Sequence, residues 1–555
     1  MIIGGVSGTE PAGSTAERPL LLGGYAAKTC PRAVHNRHDR TVPRQFGPVA
    51  PELQQLFDLG NTFESEVLGA WAGLNLPGYA DLSDLDDDKP MHIGATIGAM
   101  RAGASVIVGG RLPDDLPGHR TGKPDLLIRA AEGGYHPADI KAHRVLTKGL
   151  DARVSPLHAP SLAAAVRLED AREHADERDL LQLAHYWRML AACGHQAAEP
   201  WGAIVGTDGA QLVWYDLRLP RFITFSRTSG KAKRSALERY DHEHDFRVRV
   251  AAVARQRRGR PDDPEPLVEP VGHAECTTCE WAPVCVDELP PADLSGELRG
   301  ALSVREYLAL RESGIRTIEG LASSDPDDLL AGAYGREVGH LPQRRHRLRK
   351  AAVSAQLARD GLLLRIKDGP LPVVPRADVE IDIDAEWGAD DRVYLWGLLV
   401  TSGGASRYEA FFEPAVTDEA RLTGHCLARL DALAAEAEEQ GRSLLVYHYT
   451  HPERTRAARF TPVPRGAAQP ERWVDLHRLV KDGVESRAGL GLKVIAVHGA
   501  GFHWRDDDPG GRQSQDWHRA AREGDQQAAR RLLDYNEDDV RANLAVRDWL
   551  TASYR

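Results

Sequence analysis

Glu64, Asp125, Asp139 and Lys141 are the first residues whose types and spacing suit chemistry. Pro124-Asp125 and Asp139-Ile140-Lys141 form the pattern PD-x(n)-D-x-K. Asp139 and Lys141, two apart on a predicted strand, point to one face, where Asp125 of the neighbouring strand can meet them. Two carboxylates bind a hard divalent cation such as Mg2+ or Mn2+ through oxygen. A lysine beside them can orient or deprotonate a water and balance the charge that builds on a phosphate. Glu64, on a predicted helix, offers a third ligand. Further along, Gln182 and Tyr186 stand four apart and share a helical face.

Cysteines supply the second group. Cys276, Cys279 and Cys285 are spaced C-x2-C-x5-C, and Cys30 lies far upstream. Three thiolates at a turn, joined by a distant fourth, complete sulfur ligation of one metal centre, either zinc or an iron–sulfur cluster. Cys193 and Cys426, in apolar helical stretches, read as small buried hydrophobes.

The third group is acidic. Asp384 and Glu386 of DIDAEW fall on one strand face, and Tyr535 and Asp539 of YNEDDV fall on one face of a late helix. Between them, VYHYTHPE offers His448 and Glu453. Asp382 competes with Asp384 for the first acidic position, and the D-x-E frame is preferred because it keeps a glutamate. Asp475 reads as structural.

The elements that must position these groups follow from periodicity and turn chemistry. Asp125–Arg129 and Tyr135–Lys141 read as a hairpin joined by Glu132-Gly133-Gly134. Gly60–Leu74 reads as a helix entered from a glycine. Leu180–Cys193 is an amphipathic helix with Leu180, Leu183, Tyr186, Trp187 and Leu190 on one face. Residues 293–370 read as wholly helical, with a helix–Gly–Ile–helix form at Leu310–Ala322. Asp378–Trp387 opens a second α/β segment, with Val393–Val400 as its hairpin partner. The expected organisation is a flexible tail over 1–20, a cysteine-bearing domain over 21–292, a helical connector over 293–370 and a final domain over 371–555.

Composition bounds the function classes. The chain has 555 residues, 42% hydrophobic and 27% charged, enough for roughly three or four cored domains. The apolar run Val393–Val400 is far short of the ~20 residues that cross a bilayer. The first residues lack a basic and apolar secretory pattern, and six cysteines are too few for a disulfide scaffold. A cytoplasmic protein is expected. The net charge of −11 leaves room for nucleic acid, because Arg221–Arg260 holds twelve Lys/Arg against four Asp/Glu and Gln343–Lys350 adds five more basic side chains.

Glu, PD, D-x-K and Q-x3-Y in this order resemble the RecB-like branch of the PD-(D/E)XK nucleases, although Phe63 stands beside Glu64 where that family often has a histidine. The resemblance implies a restriction-endonuclease-like core with Glu64, Asp125, Asp139, Lys141, Gln182 and Tyr186 at its site. One distant cysteine plus the trio around such a core resembles the iron–sulfur staple of AddB-type and CRISPR-associated RecB-like exonucleases. That implies a [4Fe–4S] cluster on Cys30, Cys276, Cys279 and Cys285. The acidic strand and the late Y-x3-D helix resemble DEDD-type 3′→5′ exonucleases of the RNase H-like fold. In those enzymes four carboxylates hold two metal ions about 4 Å apart and the tyrosine orients the water. Here His448 and Glu453 stand where the family shows N-x4-D.

The order of motifs over residues 20–555 resembles RecB-like nucleases fused to an RNase H-like domain. It implies a metal-dependent DNA exonuclease of repair or genome defence, acting on single strands or duplex ends. No G-x4-GK[ST] occurs, so unwinding requires a separate helicase. Two alternatives stay open: a DNA-end-binding scaffold whose last domain has lost its chemistry, and an RNA-processing exonuclease.

Overall fold

The computed structural model describes residues 18–44, 51–85, 88–226, 230–388, 391–450, 452–460, 466–506 and 511–554. The expected tail lies outside the described residues up to residue 17. The chain divides into two compact units, residues 1–316 with 327–347, and residues 317–326 with 348–555.

The first unit is built from helices α1 (Pro31–His38), α2 (Pro51–Gly73), α3 (Lys89–Arg101), α4 (Glu177–Ala192) and α5 (Ala236–Gln256). Its sheet strands are β1 (Tyr79–Asp81), β2 (Val106–Val108), β3 (Leu126–Arg129), β4 (Tyr135–Ile140), β5 (Arg153–Pro156), β6 (Val166–Arg167), β7 (Trp201–Val205) and β8 (Gln211–Asp216). They order as β1-β2-β3-β4-β7-β8-β5-β6. Strands β2, β3 and β4 form an antiparallel meander, and α4 carries the chain to β7, which lies parallel to β4. The turn between β3 and β4 uses Gly133 at φ +99° and Gly134 at φ +75°, a region that only glycine enters freely.

Both faces of this sheet are covered. Val106, Val108, Leu126, Ile128 and Ala138 pack with Val67 and Trp71 of α2 on one side. Ile107 and Leu127 pack with Met100 of α3 and Tyr186, Met189 and Leu190 of α4 on the other. The alternation follows the strand period of two. Helix α4 is buried on nearly every side, so its polar Gln182 and Tyr186 must find internal partners.

Unit two carries a five-stranded sheet. Its strands are β9 (Val379–Trp387), β10 (Val393–Ser402), β11 (Ala405–Phe412), β12 (Leu444–His448) and β13 (Trp473–Asp475), ordered β11-β10-β9-β12-β13. The first three are antiparallel and the last two run parallel to β9. Its helices include α6 (Glu419–Glu439), α7 (Pro452–Arg459), α8 (Leu476–Gly483), α9 (Gly511–Arg522) and α10 (Gln526–Ser553). The odd residues Val379, Ile381, Ile383 and Ala385 of β9 enter the core with Leu430 and Ala434 of α6. The even residues are acids and face the other way.

Four expectations need correction. Helix α2 begins at Pro51, and Gly60 lies inside it; burial of Val67 and Trp71 outweighs a penalty of about 1 kcal/mol for one interior glycine. Residues 293–370 are not wholly helical, because Leu364–Ile366 is a strand paired with Val484–Ser486. Its Leu364 and Ile366 pack against an apolar cluster that includes Val484. Asp125 and Lys141 each lie one residue outside their strands. Cys193 is only half-buried and caps the end of α4, whereas Cys426 is buried.

Candidate functional site

In the first unit, the meander and α4 bring the predicted residues together. Asp125 Oδ2 accepts from Ile140 N at 3.0 Å, which ties the start of β3 to the end of β4. Lys141 Nζ reaches Asp139 Oδ2 at 2.5 Å and donates to Gln182 Oε1 at 3.1 Å. Gln182 Nε2 lies 3.5 Å from the Tyr186 hydroxyl, which donates to Lys123 O at 3.1 Å. Gln182 and Tyr186 thus support the lysine and the Asp125 loop from one helical face.

Burial, then the charge on Asp139, pushes the Asp125 carboxyl well above its ordinary range, with Glu64 adding to the effect. Asp139 moves the other way. Burial would raise its pKa, but the Lys141 ammonium and a hydrogen bond from Asp125 hold it down. The pair therefore shares a proton that a divalent cation would displace. Glu64 on α2 is close enough to influence Asp125 but stays half-buried.

The sequence singles out Cys30 but not its neighbours Tyr25 and Lys28. Lys28 Nζ donates to Gln182 Oε1 at 2.9 Å. Burial, then Lys141, brings the Lys28 pKa down to about 8, while burial pushes the Tyr25 hydroxyl up to about 12. A lysine three residues from a tyrosine carries no motif, so sequence spacing offers no signal for either.

All six cysteines are free thiols. Cys30 caps the start of α1, which reaches the Cys276–Cys285 segment through several contacts. Arg32 pairs with Glu288 and donates to Val268 O at 3.1 Å. Arg37 pairs with Glu280 at 2.8 Å, and Asn36 Nδ2 lies 3.5 Å from Cys285 Sγ. Hydrogen bonds to Cys276 and Cys30 push the His273 imidazole up to about 10, so this ring stands against both sulfurs. Among the described residues, no three of these sulfurs lie within 4.8 Å of one another.

In the second unit the even residues of β9 meet one face of α10. Glu380 and Asp382 pair with Arg547, and Asp384 Oδ2 accepts from Asn536 Nδ2 at 2.8 Å. Oxygens of Asp384, Glu386 and Asp539 lie within 4.8 Å of one another. Positions 536, 539, 543 and 547 recur at helical spacing, which explains why one helix reads a whole strand face.

Gly397 of β10 sits opposite Asp384 in register. A Cβ there would stand 1.7 Å from Asn536 Oδ1, so the glycine makes room for the amide that holds Asp384.

Glu453 opens α7 and is 5% exposed. It acts on Asp384 and Glu386 through space and lies 3.8 Å from His448 Nδ1. Burial and neighbouring acids push Glu386 and Glu453 each up to about 8, and burial takes Asp539 to about 6. Burial, then Asp539, also raises the Asp384 carboxyl well above its ordinary range. Tyr535 donates to Asp539, as does Trp504 Nε1 at 2.8 Å. Lys493 lies 5.2 Å from the Tyr535 ring centroid. Asp475 caps α8. Asn536, Trp504 and Lys493 escape the sequence reading; Asn536 adjoins Tyr535, but the other two sit in a loop and a helix without a motif.

The RNase H superfamily model (RNase_H_2) matches residues 380–551. No curated protein and no solved structure matches the chain. The C-terminal domain is therefore RNase H-like, and its acids suit divalent metal and nuclease-type chemistry. Among the described residues no helix is long and apolar enough to cross a membrane.

Proposed function

We propose that the chain is a metal-dependent DNA exonuclease with two hydrolytic sites, one in each unit. The observation that carries this reading is the acidic cluster of Asp384, Glu386 and Asp539 in the RNase H-like domain. Clustered carboxylates that repel one another and carry raised pKa values fit a hard divalent cation. Asp384, Glu386, Asp539 and Glu453 would hold Mg2+ or Mn2+, which supplies charge neutralisation and an activated water when bound. Tyr535, fixed by its bond to Asp539, orients that water toward the phosphodiester, and cleavage runs 3′→5′.

The RecB-like reading of the first unit is supported by the meander β2-β3-β4, the crossover α4 and the parallel β7. It is supported further by Asp125, Asp139, Lys141, Gln182 and Tyr186 meeting at one point. Asp125 and Asp139, with Glu64 nearby, would hold a divalent cation, and Lys141 would stabilise charge on the phosphate. Cys30, Cys276, Cys279 and Cys285 would hold a [4Fe–4S] cluster that staples α1 to the end of the unit, its role being structural. Any unwinding of a duplex would need a separate helicase.

The test incubates the full chain with end-labelled single-stranded and duplex DNA and RNA in Mg2+ or Mn2+. Lys141→Ala and Asp384→Asn are read singly and together. Two activities, each lost with its own variant, are expected. Cleavage that survives in the double variant would sink the reading.

A further inference from the structure

The turn that leads into Cys30 carries a cation into the first site. A short 3-10 turn, Ala26–Lys28, follows Tyr25. The Arg247 guanidinium donates to Thr29 O at 3.0 and 3.3 Å, and the Thr29 hydroxyl donates back to Tyr25 O at 2.7 Å. Arg247 itself is buried. The backbone beneath Lys28 is therefore fixed before any ligand arrives. From it, Lys28 Nζ donates to Gln182 Oε1 at 2.9 Å, the same oxygen that receives Lys141 Nζ at 3.1 Å. The Lys28 ammonium also lies 4.2 Å from the Tyr25 ring centroid.

Two ammonium groups on one neutral oxygen repel each other, and the fold gains little from bringing them there. Lys141 is balanced by Asp139 at 2.5 Å. Among the described residues, no carboxylate lies within ion-pair distance of Lys28, whose direct partners are an amide oxygen and a ring face, while Asp139, Asp179 and Asp176 act on it only from farther off. A surplus cation aimed at the point where the carboxylates and Lys141 converge calls for an anionic ligand. Phosphate oxygens suit it, because lysine binds them as a mobile point charge with three donors. A phosphate also replaces the amide hydrogen bond by a stronger charge-assisted one.

We propose that Lys28 is a substrate-contacting residue of the first site, donating to a non-bridging oxygen of the phosphodiester held beside Lys141. The proposal rests on the nuclease reading of that site.

The experiment uses the full chain carrying Asp384→Asn, so that cleavage comes from the first site alone, with labelled single-stranded and duplex DNA. Lys28→Gln keeps an amide donor for Gln182 and removes the charge. It is expected to melt with its parent, to lose about 10-fold or more in kcat/KM, and to lower the salt slope of DNA binding by about one. Lys28→Arg should recover most of the rate, because the charge rather than the ammonium shape is needed. Lys28→Gln that melts and cleaves like its parent, beside an inert Lys141→Ala, overturns the proposal and leaves the nuclease reading standing. A parent without cleavage, or a fully active Lys141→Ala, removes that reading and the proposal with it. If Lys28→Gln does not fold, Lys28→Met takes its place. Failure of both to fold would make Lys28 a structural residue and end the proposal.

Discussion

Arg547 Nη1 stands 2.9 Å from each carboxylate oxygen of Asp382. Both side chains are fully buried, and the guanidinium also reaches Glu380 at 3.2 Å and covers the Tyr447 ring at 4.2 Å. The pairing separates two aspartates that are equivalent by letter. Asp382 ends on a cation, whereas Asp384, two residues along the same face, ends on Asn536 and the acidic cluster.

Removing one partner of a buried ion pair leaves the other uncompensated. Arg547→Met is expected to destabilise the second unit by about 3–5 kcal/mol. Arg547→Met with Asp382→Leu should recover most of that loss, since Glu380 keeps Arg376 at 2.7 and 2.9 Å. Urea unfolding of the single and double variants gives the coupling directly. With Asp382→Leu measured alone as well, a double-variant loss equal to the sum of the two single losses would show that the pair contributes nothing as a pair.

Period-two acids on DVEIDIDAEW make the strand and its polar face legible, and the spacing of Tyr535 and Asp539 does the same for α10. The D-x-E frame already prefers Asp384, but what turns Asp382 away from the cluster was not legible, because the deciding residue, Arg547, carries no signal at its distance from the strand. In the first unit, the hairpin and Gln182–Tyr186 follow from local turn and helix periodicity. Lys28 does not, because it arrives through a non-local contact with α4. Helix α2 extends through Gly60 for the same reason: packing on the sheet is a long-range term that a local breaker rule omits.

Gly397→Ala tests the close approach on β10. A methyl group there would occupy the space of Asn536 Oδ1. The amide must turn away, releasing both Asp384 and the Tyr408 hydroxyl that donates to it at 2.7 Å. In the Lys141→Ala background the variant should lose about 10-fold or more of the remaining cleavage, with a clear fall in Tm from overpacking of about 1–3 kcal/mol. Unchanged cleavage would show that Asn536 has no part in holding Asp384.

Cysteine chemistry offers an independent readout. Chain purified without oxygen is expected to be brown and to contain iron rather than zinc. Cys276→Ala should lose the iron and destabilise the first unit, because metal-binding energy is folding energy. Stoichiometric zinc without iron would replace the cluster by a zinc site.

Acid sensitivity follows from Glu409. Hydrogen bonds from Arg429, then Arg407, outweigh burial and hold its pKa down to about 2 from an ordinary 4.5. A depressed carboxylate stabilises the fold fully above its unfolded value and loses that contribution as pH falls through the folded one. Glu409→Gln should therefore cost about 1 kcal/mol at pH 7, after solvent screening, and progressively less as pH falls toward and through the folded value near 2. Melting curves of both chains across this range should converge on the acid side. A constant gap would remove ionisation as the cause.

Glu453 joins the acids of the second site from a different element, the first turn of α7. It is buried, and its carboxyl is pushed up to about 8 by burial, with Asp475 and Asp539 adding to it. Such a group is a liability for folding unless a cation draws on its charge. Two opposite effects are expected from Glu453→Gln, measured in the Lys141→Ala background. Cleavage should fall about as far as in Asp384→Asn, because a ligand is lost. Tm without divalent metal should rise above the parent at pH 9, where the glutamate is ionised, because one buried negative charge is gone. At pH 6 the two chains should melt closer together, since the glutamate is then largely protonated. Parental cleavage in Glu453→Gln would make the residue a bystander, and a lower Tm at pH 9 would mean that its charge already has a partner within the protein.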